Sequence, residues 1–260
     1  MSAAGSDYNA VCGRFNVSTD PLSKLLLELV GLRHPGPDNA NAAPTEQIVV
    51  LRLRTDGAPE LVPMRWWLTP YWAKEPSTRY SMFNAKSETA ATSPAFREPL
   101  RRRRCVVPVS GFYEWIRQRG EKLPYYIRPH AEPGMLLAGI WDRWRPKGAV
   151  SAEQADAAGD AGEEVQPLES FAILTTAAAE GLEFVHTRQP VMLSMADARR
   201  WLDPELDEAA IAALLGPAIP VALDAVPVSS FVNNARNKGP RCYEPIAGPV
   251  PVRATSGPPA

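Results

Sequence analysis

Apolar and polar positions change their spacing several times along this chain, and each change predicts an element. Leu22, Leu25, Leu26 and Leu29 recur three and four apart, with Asp20 placed to cap and Pro21 suited to a first turn. That spacing predicts a helix over 20–32. Residues 34–44 are rich in Pro, Gly and Asn and read as a loop. The run QIVVLRL at 47–53 predicts a strand, 89–100 a helix, and the β-branched 104–109 a short strand. Further strands are expected at 123–129, 135–144, 171–176, 191–193 and 221–228. Short helices are expected at 196–201 and 206–215. Short strands dominate and helices interrupt them irregularly, without βαβ alternation, so the fold class predicted is α+β in a single domain. The domain is placed at 12–248. Residues 1–11 are expected to be a disordered extension, 147–168 a flexible surface insertion, and 249–260 a loose Pro-rich tail.

Composition narrows the partners. With 260 residues, 45% hydrophobic and 22% charged, the chain can build an ordinary core. The formal net charge of -1 gives no global pull toward nucleic acid, so any polyanion site must be local. Cys12, Cys105 and Cys242 cannot all pair with one another, which suits a reduced protein. No apolar run nears the ~18 residues of a membrane span. The first eleven residues lack the basic start and apolar core of a secretory signal. A cytoplasmic monomer that makes no membrane contact is the expectation.

Chemistry concentrates in a few segments. Cys12-Gly13-Arg14-Phe15 lies near the amino end. A cysteine whose amine is free captures aldehydes, the amine forming a Schiff base and the thiol then closing a thiazolidine. Arg14 would favour thiolate or hold a phosphate; a buried apolar cysteine is the plainer reading. Asn84 and Lys86 belong to NAKSET, which fits either a substrate contact or a capped helix start. Glu114 stands between Tyr113 and Trp115. Packed among aromatics it would be desolvated and tuned for acid/base work; pointing outward it would be an ordinary strand residue. His186 suits proton transfer near neutrality but is also an unremarkable loop histidine. The run Arg101 to Arg104 fits a phosphate-facing patch or a solvated helix end. Trp66, Trp67, Tyr71 and Trp72 suit either a core or stacking on unpaired bases. Neither a zinc spacing nor a Gly-rich phosphate loop is present, so no metal and no cofactor are expected.

Read together, CGRF at Cys12, APT at Ala43, WWLTPYWAK at Trp66, NAKSET at Asn84, RRCVVPVSGFYEW at Arg103 and HTRQPV at His186 resemble the SRAP family. These are the SOS-response-associated peptidases, or abasic-site-processing proteins. The resemblance spans nearly the whole chain. It implies a curved, barrel-like, mainly antiparallel sheet with peripheral helices. It also implies covalent capture of abasic sites in single-stranded DNA. Carried over residue by residue, Cys12 would be the nucleophile, Asn84 would hold the amine and sugar, and Glu114 would serve as acid/base. His186 would protonate the ring oxygen. Arg14, Lys86 and Arg188 would contact phosphates, and Trp66, Trp67 and Trp72 would meet the DNA. The chain departs from the family at Lys86, Gln189 and Trp67, where Arg, Met and Gly are usual.

The chemistry requires Cys12 to carry a free amine, yet eleven residues precede it. Three routes are open. Val11 is encoded by a start-competent codon and Cys12 follows the initiator; the chain removes its own leader; or the extension stays. A cysteine peptidase using Cys12, His186 and Glu114 or Asn84, and a non-catalytic single-strand-binding module, are the competing functions.

Overall fold

The computed structural model describes residues 12–118, 120–146 and 166–255. The expectations for the 1–11 extension and for nearly all of the 147–168 insertion lie outside the described residues, as do residues 256–260 of the tail.

Five strands close a ring. Strand β3 (Gln47–Leu53) pairs antiparallel with β4 (Pro59–Trp66) and with β6 (Arg104–Val109). Strand β6 pairs with β9 (Met135–Trp144), which forms a hairpin-like pair with β10 (Leu168–Ala177). Strand β10 returns to β4 in the one parallel contact of the ring, Phe171 opposite Trp66. Closure leaves these strands without a free edge at their middles. Beyond the ring, β10 continues upward to pair with β5 (Asn84–Lys86) and β11 (Arg188–Pro190), and β12 (Met192–Leu193) adds to β9.

The remaining strands form an antiparallel sheet ordered β14-β13-β8-β7-β1-β2. Here β1 is Phe15–Val17, β2 Asn39–Ala42, β7 Gly111–Gln118, β8 Glu121–Pro129, β13 Leu223–Pro227 and β14 Val250–Val252. Phe15 joins this sheet to the ring: its centroid lies 4.5 Å from that of Trp66, which stacks in turn on Phe171 at 6.4 Å. All three rings are fully buried. The result is the α+β, single-domain, barrel-like architecture the sequence predicts.

Among the described residues, five α-helices lie around the strands: α1 (Thr19–Val30), α2 (Ser87–Ala90), α3 (Arg97–Arg102), α4 (Met195–Leu202) and α5 (Glu208–Ala213). The leucine spacing of α1 buries Leu22, Leu25, Leu26 and Leu29 as read. Gly31 ends it at φ 75°, the left-handed cap that a side chain would strain.

Four expectations are corrected. The helix over 89–100 is two short helices with a turn between them, because Pro94 disfavours helical backbone at Ser93 and lacks a donor of its own. The loop over 34–44 contains β2, whose Asn-Ala alternation carries little apolar bulk; pairing to β1 fixes it. The tail is not loose throughout, since β14 pairs with β13. Leu168 already belongs to β10.

The arginine run divides rather than forming one patch. Arg101 pairs with Glu208 and Arg103 with Asp142. Arg104 is buried, and its guanidinium donates to the carbonyls of Leu100, Arg101, Trp201 and Asp203. It therefore sits at the C-terminal ends of α3 and α4 together, where carbonyls left without helical partners favour a cation.

Candidate active site

The site grows from the junction of the two sheets. Alternation along β7 puts Phe112 and Glu114 on one face and Tyr113 and Trp115 on the other. Phe112 joins the core shared with the ring, whereas Tyr113 packs with Tyr126, Val232 and Cys242. Glu114 thus turns away from the two aromatics that flank it in sequence and toward the buried junction. Gly111 makes this possible: a Cβ there would lie 2.5 Å from the Ile127 carbonyl oxygen and 2.6 Å from the Tyr126 ring. Strand β7 can approach β8 only with no side chain at that position.

Cys12 immediately precedes the segment that enters β1, which pairs with β7, so the chain enters beside Glu114. The Cys12 N–H donates to Glu114 Oε1 at 2.5 Å, and both residues are buried. Cys12 adopts φ 47°, left-handed backbone that costs a non-glycine residue about 1–2 kcal/mol. Burial pushes the Glu114 carboxyl up to about 8, against the opposing pull of the Cys12 and Trp115 backbone N–H groups. Burial, and secondarily the Glu114 charge, push the Cys12 thiol well up. Near neutrality the pair is a protonated thiol beside a carboxyl poised to exchange its proton.

Asn84 opens β5 and is half-buried. It reaches the junction through Phe83, whose carbonyl accepts from Trp66 Nε1 at 2.9 Å and whose ring lies 4.0 Å from where a Cβ on Gly13 would stand. Lys86, at the other end of β5, is exposed. Strand β10 connects this segment to β11, because Thr175 faces both Lys86 and Pro190. His186 precedes β11 and is half-buried; its Nδ1 accepts the Arg188 N–H at 3.0 Å. The neutral ring then carries its proton on Nε2. Burial lowers the His186 pKa, and the nearby Arg188 charge adds to that effect. Cys12 and Glu114 are in direct contact; Asn84 follows Phe83, whose ring neighbours Gly13, and His186 leads into β11, which pairs with β10 as β5 does.

Several side chains expected to meet DNA have other work. Trp66 is fully buried in the core and has no face to offer a base. Trp67 is half-buried against Phe83, at 5.3 Å. Trp72, by contrast, is 52% exposed, alongside Tyr71 and Tyr80. Arg14 is held in place: Nη1 donates to Asn41 Oδ1 at 2.9 Å and to the Val232 carbonyl at 3.1 Å, and the guanidinium lies 5.9 Å from the Trp115 ring. Arg188 forms a two-pronged pair with Glu88, at 2.9 Å on each side. Gln189 is structural, its amide bridging the Ala179 N–H and the Ala218 carbonyl.

Sequence reading missed Asn41 and the segment 229–243. Asn41 Nδ2 lies within 3.0–3.2 Å of the carbonyls of Val232, Asn234 and Asn237. Trp115 Nε1 donates to Asn233 Oδ1 at 2.6 Å. These bonds lash the segment to the site. The cluster of asparagines in VNNARN was the available signal, since asparagine favours loop geometry held by side-chain bonds. Among the described residues, no group of His, Cys, Asp or Glu is arranged to hold a metal ion, and no helix is long and apolar enough to cross a membrane.

Comparison with known proteins gives a consistent picture. The SOS response associated peptidase (SRAP) family matches residues 11–235. The abasic site processing protein YoqW of Bacillus subtilis is 32% identical over 246 residues, covering 90% of this chain and 99% of that protein. The abasic site processing protein HMCES of Gallus gallus is 34% identical, covering 75% of this chain and 61% of its own length. A solved Bacteroides thetaiotaomicron protein shares the fold, with a TM-score of 0.74 at 24% identity, covering 91% of this chain and all of that one. The closed ring, the Cys12–Glu114 junction and a family match running from residue 11 to 235 lead to one assignment: the chain belongs to the SOS response associated peptidase family.

Proposed function

We propose that this protein processes abasic sites in single-stranded DNA by capturing the ring-opened sugar on Cys12. The observation that carries the reading is the buried 2.5 Å contact between the Cys12 nitrogen and Glu114. In a chain whose first residue is Cys12 that nitrogen is an amine. It attacks the aldehyde carbon; a C–N bond forms and the carbonyl oxygen takes up a proton. The resulting carbinolamine loses water to give a Schiff base. The thiol then adds across the C=N bond, the carbon gaining sulfur and the nitrogen gaining the thiol proton. Aldehyde plus cysteine gives thiazolidine plus one water. Both proton movements at nitrogen need a group that accepts and returns a proton, which suits a carboxyl whose burial pushes its pKa up and whose oxygen already touches that nitrogen. Asn84 would position the sugar, and His186 would deliver a proton to the ring oxygen from Nε2. Lys86 and Trp72 are exposed and available to the strand. The names of YoqW and HMCES support abasic sites as the substrate.

The peptidase alternative draws less support. A thiol nucleophile needs a depressed pKa, and burial moves that of Cys12 the other way. The test uses protein with a defined start at Cys12, mixed with single-stranded DNA carrying one abasic site. A denaturant-stable adduct is expected, at the summed mass less one water, and Cys12→Ala should abolish it. No adduct from the parent protein, or an adduct that survives Cys12→Ala, overturns the proposal.

A further inference from the structure

The segment 229–243 carries three cations that the structure uses in two ways. Lys238 is an anchor, its Nζ bonded to Glu46 Oε1 at 2.8 Å and to the Asn41 carbonyl at 2.7 Å. Arg236 and Arg241 are exposed. Among the described residues neither guanidinium has a carboxylate or any other acceptor within hydrogen-bonding distance. Arg52, Arg54, Arg101, Arg103, Arg143 and Arg188, by contrast, each hold an acidic partner. Arg241 is nevertheless positioned, its guanidinium lying 4.5 Å from the centroid of Phe231. Stacking on a ring face fixes the plane of the guanidinium and leaves its N–H edge open, the arrangement suited to a phosphate.

The segment is also rigidly continuous with the site. Asn41 binds three of its carbonyls, Arg14 binds Val232, and Trp115, next to Glu114, binds Asn233. A strand leaving the Cys12–Glu114 junction over Trp115 would meet Arg236 and Arg241 as the nearest unmatched positive charges on this segment.

We propose that Arg236 and Arg241 form a second contact surface for the DNA strand, neutralising phosphates beyond the reacting nucleotide. The inference rests on the DNA reading above and sets the length of the footprint rather than the chemistry. Each neutralised phosphate of a single strand contributes about 0.7 to the slope of log K against log salt. Losing two should flatten that slope by about 1.4, equivalent to roughly 25-fold weaker binding at 0.1 M salt if the curves converge near 1 M.

The experiment measures fluorescence anisotropy of a labelled, undamaged 20-mer strand across a salt series. Parent protein with a defined start at Cys12 is compared with Arg236→Gln/Arg241→Gln in the same background, and with Lys24→Gln on α1 as a surface-charge control. The flattened slope should appear in the double variant alone, while its adduct yield at saturating abasic DNA stays at the parent level, which also shows that it is folded. Equal slopes for the double variant and the control overturn the second surface. Absence of adduct in the parent protein refutes the capture reading instead, so the two failures are distinguishable.

Discussion

Replacing Glu114 with glutamine isolates the cost of burying one carboxyl. In the full-length chain the Cys12 nitrogen is an amide, and burial raises the carboxyl from 4.5 to about 8. Below pH 4.5 the group is protonated in both folded and unfolded chains, and it costs nothing by ionising. Between 4.5 and 8 the unfolded chain releases the proton and the folded chain keeps it. The folded state then binds more protons, so stability falls as pH rises. Above 8 both forms are ionised and the loss levels off. A shift of about 3.5 units at about 1.36 kcal/mol each gives a plateau near 5 kcal/mol, of which about 3 is reached at pH 7. The substituted amide keeps an oxygen for the Cys12 N–H and does not titrate. Urea unfolding of parent and Glu114→Gln from pH 4 to pH 9.5 should therefore diverge, the variant gaining relative stability across that window. Parallel profiles, or a parent that gains on the variant as pH rises, would refute the account of a desolvated carboxyl.

Other outcomes follow from the same geometry. A chain starting at Cys12 places an amine against Glu114, which favours the carboxylate; the gap between parent and Glu114→Gln at pH 7 should then shrink, as read by the same unfolding series. Arg104→Leu leaves four carbonyls at two helix ends without their donor and should cost about 3–5 kcal/mol by urea denaturation. Gly111→Ala forces a Cβ into the Ile127 carbonyl oxygen and should cost about 1–3 kcal/mol, with lowered adduct yield because Glu114 moves. Trp66→Ala should destabilise by about 3–5 kcal/mol, while adduct formation per folded molecule stays near the parent's, since the ring is core rather than a DNA contact.

Much of the site was legible because it sits in short motifs with unusual local composition. Cys12, Asn84, Glu114 and His186 were each conspicuous before any contact was known. Their roles were harder to read where long-range geometry decides them. Trp66 and Trp72 look alike in sequence; one is sealed between Phe15 and Phe171, and the other lies on the surface. Arg14 and Arg188 carry the same charge signal as Arg241, but Asn41 and Glu88 occupy the first two. The strand at Asn39–Ala42 escaped notice because its alternating alanines carry little apolar bulk and its place is fixed by pairing to β1. The parallel pairing of β10 with β4 that closes the ring, Ser170 with Arg65 and Phe171 with Trp66, leaves no local trace at all.

The pairing of β9 with β10 has a practical consequence. Trp144 stands opposite Leu168, so the chain leaves and rejoins the ring at one place. Seven residues of extended β10 separate Leu168 from Thr175, on the order of 20 Å of strand between that rim and the level of Lys86. A short turn, a fluorophore-bearing peptide or an affinity handle spliced between residues 146 and 166 would join ends that this pairing already holds together, at little cost in loop entropy. The protein thus offers an attachment point for single-molecule work at a defined place, beside the segment that carries Trp72, because Trp144 Nε1 donates to the Ala73 carbonyl at 2.8 Å.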